Sequence, residues 1–431
     1  MKKIKIGVLG AYRGSSMIRY CKMADNAELV AICDKWKEGL QRQKDQDEDG
    51  TITFYDNFDE FIEHPDMDAV VLANYANEHV PFAIRALKAG KHVFSEVLPC
   101  QTMKEAVELI EAVEESGLVY AYGENYCWFS GPAEMRRLYK EGKVGELLYA
   151  ECEYLHNCEP IWPGCAYGDK NHWRNQMYST FYCTHSLGPI IHMTGLRPIS
   201  VTGFECGINT IADRVGRKSA NFGIEMVTLE NGGIVRSMHG GTYKDSIWWC
   251  LHGSKGLLET AREETDNGKW DRLYVNYDAE SGAYDTAHRE NYMANEKDNG
   301  ISQKFEHGGS DFWSMYHFIE KIKGDQTADV IDVYEAMDMF LPGMFAFRSI
   351  LAGGIPMDIP NLRNKEEREK WRNDVACTDP TVAGDQLLPT RKGGTPDIPD
   401  SVYEKQKAIF EEQVRTGTGR FAGITGTKKN S

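Results

Sequence analysis

Three things are scarce in this 431-residue sequence: paired cysteines, long apolar runs and basic charge. None of the 11 cysteines forms a Cys-x-x-Cys pair. With no ligand spacing for zinc, no metal is expected. An odd cysteine count fits reduced thiols in a cytoplasm, where Cys33 and Cys152 serve as small hydrophobes inside strands. No apolar run is long enough to cross a bilayer, so no membrane partner is expected. Lys+Arg 49 against Asp+Glu 65 leaves a net charge of −16. Such a chain has no electrostatic footprint for nucleic acid. The charged N-terminus runs straight into an apolar strand, and the expectation is a protein without a secretory leader. A regular Gly-x-Gly-x-x-Gly is also missing: the loop Gly10-Ala11-Tyr12-Arg13-Gly14 is one residue short, with Tyr12 where the second glycine belongs.

What surrounds that loop is informative. The run Ile4 to Leu9 reads as a buried parallel strand. The chain turns through Gly10 and Gly14, and Ser15 is placed to cap a helix starting near Met17. Strand, glycine turn and helix N-terminus make a cradle for a pyrophosphate. A second apolar strand, Glu28 to Cys33, ends at Asp34, roughly 20 residues on, where a carboxylate binds the adenosine ribose hydroxyls. A carboxylate there repels a 2′-phosphate and so favours NAD over NADP; the competing role for Asp34 is a helix cap.

Strands and helices alternate onward: Thr51–Tyr55, Phe58–Glu63, Asp68–Asn74, His79–Ala89, Lys91–Glu96, Met103–Ser116 and Val119–Tyr126. Alternation of this kind predicts an α/β fold with a doubly wound parallel sheet. After a helix near Pro132–Glu141 the chain becomes strand-rich. A hairpin signal, Glu230-Asn231-Gly232-Gly233, joins Ile224–Leu229 to Ile234–His239, so an open, mostly antiparallel sheet is expected. Late helices are expected over Asp311–Lys323 and Val333–Leu351. The predicted organisation is a dinucleotide domain over 1–126, a substrate domain over 127–360, and an arm over 361–431 packing on the body or a neighbouring subunit in a homo-oligomer.

Several segments together resemble the Gfo/Idh/MocA oxidoreductases from Met1 to about Pro360. Leu72-Ala73-Asn74-Tyr75-Ala76-Asn77-Glu78-His79 is similar to the family's loop after the fourth strand. Lys91 to Glu96 resembles the strand before its Glu-Lys-Pro motif. Gly123-Glu124-Asn125-Tyr126 resembles the strand end at the domain junction. The motif lysine, a proton-handling group, is absent: the sequence reads Glu96-Val97-Leu98-Pro99. That absence resembles one branch, the NAD-dependent glycosidases that act by transient oxidation. Ala150 to His156, with Tyr154 and His156, resembles the branch's Tyr-x-His strand. His172-Trp173-Arg174 resembles its Trp-Arg pair, Tyr182-Cys183-Thr184-His185-Ser186-Leu187-Gly188-Pro189 its Tyr-x-Thr-His signature, and His307-Gly308-Gly309 its His-Gly-Gly element.

The resemblance implies a Rossmann domain followed by an open-sheet α/β domain, with NAD as cofactor. It implies cofactor contacts from Gly10, Tyr12, Arg13, Gly14, Asp34, Asn74, Asn77, His79, Glu96, Asn125, Trp173 and Arg174. Glu96, Tyr126 and His307 face the substrate, with Val97 and Leu98 as an apolar wall. His185 is the expected base, with Tyr182 beside it; Tyr154 and His156 are the further proton-handling groups. The structural alternatives are sheet packing for Tyr154 and an ion pair for Arg174. Trp128, Trp162, Tyr167, Trp248 and Trp249 are candidate stacking faces or core. Three functions stay open: NAD-dependent oxidation of a sugar or glycoside hydroxyl at carbon 3, glycoside hydrolysis through transient oxidation, and a catalytically silent dinucleotide-binding regulator.

Overall fold

The computed structural model describes residues 2–263, 270–277, 288–294 and 300–419. Six short strands build the first sheet: β1 (Ile4–Leu9), β2 (Ala27–Cys33), β3 (Thr53–Tyr55), β4 (Ala69–Leu72), β5 (His92–Glu96) and β6 (Tyr120–Gly123). All pair in parallel in the order β3-β2-β1-β4-β5-β6. β4 is buried along its whole length, and β1 and β2 nearly so, because helices cover both faces. Strand order reverses between β1 and β4, which opens a crevice at their carboxyl ends. Gly10 to Gly14 lies at that crevice.

Nine strands form the second sheet: β7 (Leu147–Leu155), β8 (Pro198–Glu205), β9 (Phe222–Leu229), β10 (Ile234–Gly240), β11 (Ser246–Gly253), β12 (Gly256–Thr260), β13 (Arg272–Tyr277), β14 (His288–Met293) and β15 (Met357–Asp358). Their order is β14-β13-β12-β11-β7-β10-β9-β8-β15. Within this sheet, β7 and β10 alone among the described strands pair in parallel. β9 and β10 form the hairpin, with Ile234 opposite Thr228. Burial alternates along β9, so one sheet face is packed and the other half-exposed. The helices Thr184–Thr194 and Val333–Leu351 cover the packed face, and Val333–Leu351 also touches Met103–Ser116 from the first half.

Several element ends fall one to three residues from expectation, and two of the shifts bear on the cleft. The first helix spans Ser15–Met23 with Gly14 at its N-cap and no side-chain cap, so Ser15 is not the cap. The sixth strand ends at Gly123, not Tyr126: the Glu124 side chain accepts from the Tyr126 N–H and starts a 3₁₀ turn, Asn125–Trp128. From Pro360 to residue 419 the chain packs on its own body. Arg368 pairs with Glu114 and Arg372 with Glu111, and Tyr403 Oη donates to the Gly216 carbonyl at 3.0 Å.

Candidate active site

A cavity of about 2140 Å³ runs from the Gly10 turn to the packed side of the second sheet. Gly10 has φ +101°, and a Cβ there would sit 2.4 Å from the Ala73 carbonyl oxygen, so the turn needs glycine. A Cβ on Gly14 would meet the Gly10 oxygen at 2.3 Å. Asp34 braces this turn: the Ala11 N–H donates to one carboxylate oxygen at 2.7 Å and the Trp36 N–H to the other at 2.8 Å. Asp34 is not the cap of the next helix, Lys37–Asp45, whose N-cap is Trp36 with no side-chain cap, and each carboxylate oxygen keeps lone-pair capacity for a ribose hydroxyl. Burial raises the Asp34 pKa, opposed by those two N–H bonds. Tyr12 and Trp36 stand edge to face beside it, 6.5 Å between centroids.

Arg13 points to the middle of the cleft. Its Nη2 lies 2.6 Å from Glu96 and its Nη1 3.1 Å from Asp311. Asp311, 1% exposed, also accepts from Asn125 Nδ2 at 3.0 Å and bonds His307 Nδ1 at 3.2 Å. Burial opposes the Asp311 charge, but Arg13 and His307 outweigh it and hold the carboxyl well below the usual range. His307 moves the other way: burial lowers it, and the Asp311 bond more than restores it. Burial raises Glu96 more than Arg13 lowers it. His307, Gly308 and Gly309 take φ of 55°, 59° and 88°; the glycines allow this tight approach, and His307 is held there against its preference. Glu306, His307 and Asp311 are near enough to share a cation, but the Arg13 guanidinium already supplies positive charge to the two carboxylates, at 4.0 Å from Glu306.

At the junction, His185 opens the helix Thr184–Thr194 and lines the cavity. Its Nδ1 bonds Glu124 Oε1 at 2.9 Å. Glu124 is fully buried and also accepts from Thr184 Oγ1 at 2.8 Å and the Tyr126 N–H at 3.2 Å. A carboxylate only accepts, so Nδ1 carries the hydrogen and Nε2 is the basic nitrogen. Tyr126 stacks on the imidazole at 4.4 Å, with the Tyr154 and Tyr182 rings at 4.8 and 5.6 Å. Burial raises all three phenols, which keeps them neutral donors. Arg174 Nη1 donates to Tyr182 Oη at 2.9 Å, and its guanidinium lies over Trp173 at 4.4 Å. His156, half-exposed, bonds Asp245 at 3.1 Å.

Not every expected residue reaches the cavity. His79 is 1% exposed, with Nδ1 on the Leu98 carbonyl at 3.0 Å; it supports the segment after β5 from behind. Asn77 lines a small separate recess with Gln101. Leu98 is fully buried in the core, so Val97 alone of that pair faces the cleft. Trp162 and Tyr167 line the cavity, whereas Trp128 packs between His192 and His317, Trp248 Nε1 bonds Glu259 and Trp249 Nε1 bonds the Ser186 carbonyl. Sequence reasoning assigned no role to Glu124 or Asp311. Both stood in quoted segments, but their partners are 61 and 298 residues away.

Comparison with known proteins bears on this geometry. Residues 4–124 match the family model of the Gfo/Idh/MocA oxidoreductases, described as an NAD-binding Rossmann fold. Residues 246–372 match the glycosyl hydrolase 109 C-terminal domain. The first of these segments is thus similar to the Gfo/Idh/MocA oxidoreductases, and the second to the glycosyl hydrolase 109 branch. A glycosyl hydrolase family 109 protein from Solibacter usitatus is 24% identical over 419 residues, 86% of this chain and 89% of that protein. Family 109 protein 3 of Phocaeicola vulgatus is 27% identical over 208 residues, which span 44% of this chain and only 38% of that protein. The solved structure of levoglucosan dehydrogenase with NADH and L-sorbose shares the fold, with TM-score 0.65 and 16% identity over 84% of this chain and 100% of that one. The segment that matches the NAD-binding Rossmann fold also suits NAD on its own geometry. The glycine cradle admits a close backbone approach, Asp34 retains acceptor capacity, and Asn74 Oδ1 on the cavity wall is buried with no partner. The cavity also exceeds the ~300–1,000 Å³ of an ordinary ligand pocket, as a cleft for a dinucleotide and a second ligand must.

Proposed function

We propose that the protein oxidises a secondary hydroxyl of a sugar or glycoside, at carbon 3, in an NAD-dependent reaction. The observation that supports this best is His185, backed by the buried Glu124 and facing the cavity, in a chain without the usual lysine. When bound, NAD⁺ supplies the hydride acceptor. His185 Nε2 takes the hydroxyl proton as the carbon loses hydride, and Glu124 stabilises the imidazolium that forms. Tyr182, bonded to Arg174, and neutral Tyr154 are donors to the oxygen as its charge develops. Gly10, Tyr12, Gly14, Asp34, Asn74, Asn125 and Trp173 are assigned to the cofactor. Arg13 and Glu96 lock the middle of the cleft, with Tyr126 and His307 toward the sugar. The reading includes a cytoplasmic location and a homo-oligomer, the latter supported by the half-exposed face of the second sheet.

The family 109 second half favours one further reading, hydrolysis by oxidation, elimination, hydration and re-reduction. It needs a proton acceptor for the acidified neighbouring C–H and an acid for the leaving group. Tyr154 and His156, 6.0 Å apart between rings, are the pair available. A panel of aryl glycosides with NAD⁺ separates the readings. Stoichiometric NADH with an intact oxidised glycoside is the expected result. Released aglycone without net NADH supports the hydrolase; neither product, with NAD bound, supports a silent regulator and defeats both.

A further inference from the structure

The two walls of the cavity differ in charge. Its lining carboxylates, Asp34 and Glu96 among them, all come from the first domain apart from Glu306. Between Tyr154 and Gly240 the lining holds two arginines and three histidines, and no Asp or Glu among the described residues. The first-domain wall is mixed, with Arg13, Lys35 and Arg42 among its acids.

The bases on this wall are answered unequally. Each histidine has a carboxylate behind it: Glu124 for His185, Asp245 for His156 and Glu225 for His239, at 2.9, 3.1 and 2.9 Å. Neither arginine has a carboxylate partner among the described residues. Arg174 donates to the Tyr182 hydroxyl. Arg217 donates to the Ala220 and Asn221 carbonyls at 3.1 and 3.4 Å, lies over Trp162 at 5.7 Å, and keeps a buried Nε with no partner. Burial pulls the Arg217 pKa down, the sign of a guanidinium whose charge the fold does not compensate. Both arginines lie within electrostatic reach of Cys158 on the same wall, so they converge on one region. Uncompensated buried cations cost stability, and a guanidinium offers a planar fork matched to a carboxylate or phosphate.

We infer that Arg174 and Arg217 receive an anionic group of the substrate, so the saccharide proposed above is an acidic one, a uronic acid or its glycoside. This rests on the proposed function for the word saccharide, but the anion site is testable without turnover. A sugar phosphate presents the same chemistry from another source, and the experiment separates the two.

The full-length protein is loaded with NAD⁺ and titrated calorimetrically with D-glucuronic acid, D-galacturonic acid, D-glucose 6-phosphate and the neutral parent sugars. A uronic acid is expected to bind about 10- to 100-fold more tightly than its parent, the worth of one charge-assisted contact. Arg217→Met should remove that preference while NAD affinity stays within error, and Arg217→Lys should keep part of it. If Arg217→Met does not fold, the Lys variant and the salt dependence of the wild-type preference give the same answer. Tighter binding of glucose 6-phosphate than of either uronic acid overturns the carboxylate assignment. Equal affinity for acids and neutral sugars, or no sugar binding at all, overturns the anion site. A loss of NAD affinity in Arg217→Met assigns the arginine to the cofactor and also overturns it. A bound uronic acid that yields neither NADH nor aglycone leaves the anion site standing and removes the redox reading.

Discussion

His185 stands between a buried carboxylate and an open cavity, and its two ring nitrogens have different tasks. Nδ1 is fixed by Glu124 at 2.9 Å; in the proposed reaction Nε2 meets the substrate. Removing the imidazole should lower hydride transfer by about 10²–10⁴-fold, the range for a general base, and leave NAD affinity nearly intact. Single-turnover kinetics on His185→Ala check this; near-normal turnover would move the base to Tyr154 or His156. Glu124→Gln is subtler. A glutamine amide can donate to Nδ1, which favours the wrong tautomer and leaves the imidazolium without a counter-charge. Turnover should fall, and Glu124→Asp, which keeps the counter-charge, should recover part of it. Equal losses in the two variants would mean that Glu124 only packs the junction. Asp34→Ala should weaken NAD and relax discrimination against NADP; equal affinity of the intact protein for both cofactors would contradict the assignment. At this scale the sequence displayed the motif members but not their contacts. His185, Tyr182 and Tyr154 stood in short recognisable segments. Glu124 and Asp311 acquire a role only through residues distant in the chain, and His79 could not be told from a cavity residue because its partner is a backbone carbonyl, Leu98.

The elements were more legible than the contacts. Ile4–Leu9 and the whole Met103–Ser116 and Val333–Leu351 helices followed from apolar runs and helical spacing, and the β9–β10 hairpin from its Asn-Gly turn. The misplaced end of β6 has a specific cause: Tyr120-Ala121-Tyr122-Gly123 continues into Glu124-Asn125-Tyr126 with the same apolar–polar texture, and only the Glu124 side-chain bond to the backbone ends the strand. On Val333–Leu351, Asp338 is 7% exposed and pairs with Arg363 at 2.7 Å. Burial pushes its carboxyl up to about 6 despite the arginine. Between the ordinary carboxylate value of ~3.9 and that point, the folded state retains a proton that the unfolded chain has released. Stability therefore falls as pH rises through this window, by on the order of 2–3 kcal/mol from this group. Urea unfolding of the wild type and Asp338→Asn at about pH 4 and about pH 7 should show the wild type losing that much more across the interval. Parallel losses would contradict the assignment.

At the scale of the molecule, the cleft is closed by residues that no local pattern connects. Arg13 in the first turn meets Asp311 near the start of the helix Ser310–Ile322, and the final helix, Asp400–Thr416, brings Phe410 and Val414 to the cavity wall. A chain shortened just before Asp400 loses the Tyr403–Gly216 bond and exposes the surface packed beneath Gly168. It should melt at lower temperature and bind its ligands more weakly; unchanged melting and binding would make that helix dispensable. The two-sheet α/β plan and the NAD-type first domain were readable from alternation, the Gly10–Gly14 turn and Asp34. The closure was not, since it depends on tertiary placement of charges.

The central claim is that a carbon-bound hydrogen of a saccharide passes to NAD in this cleft while His185 takes the hydroxyl proton. The most direct test uses a glycoside that the NAD-loaded protein binds, deuterated at carbon 3, followed by mass analysis of the recovered nicotinamide. Deuterium on the nicotinamide ring is the expected result, formed slower in His185→Ala by about 10²–10⁴-fold. Bound NAD and bound glycoside with no deuterium transferred would contradict it.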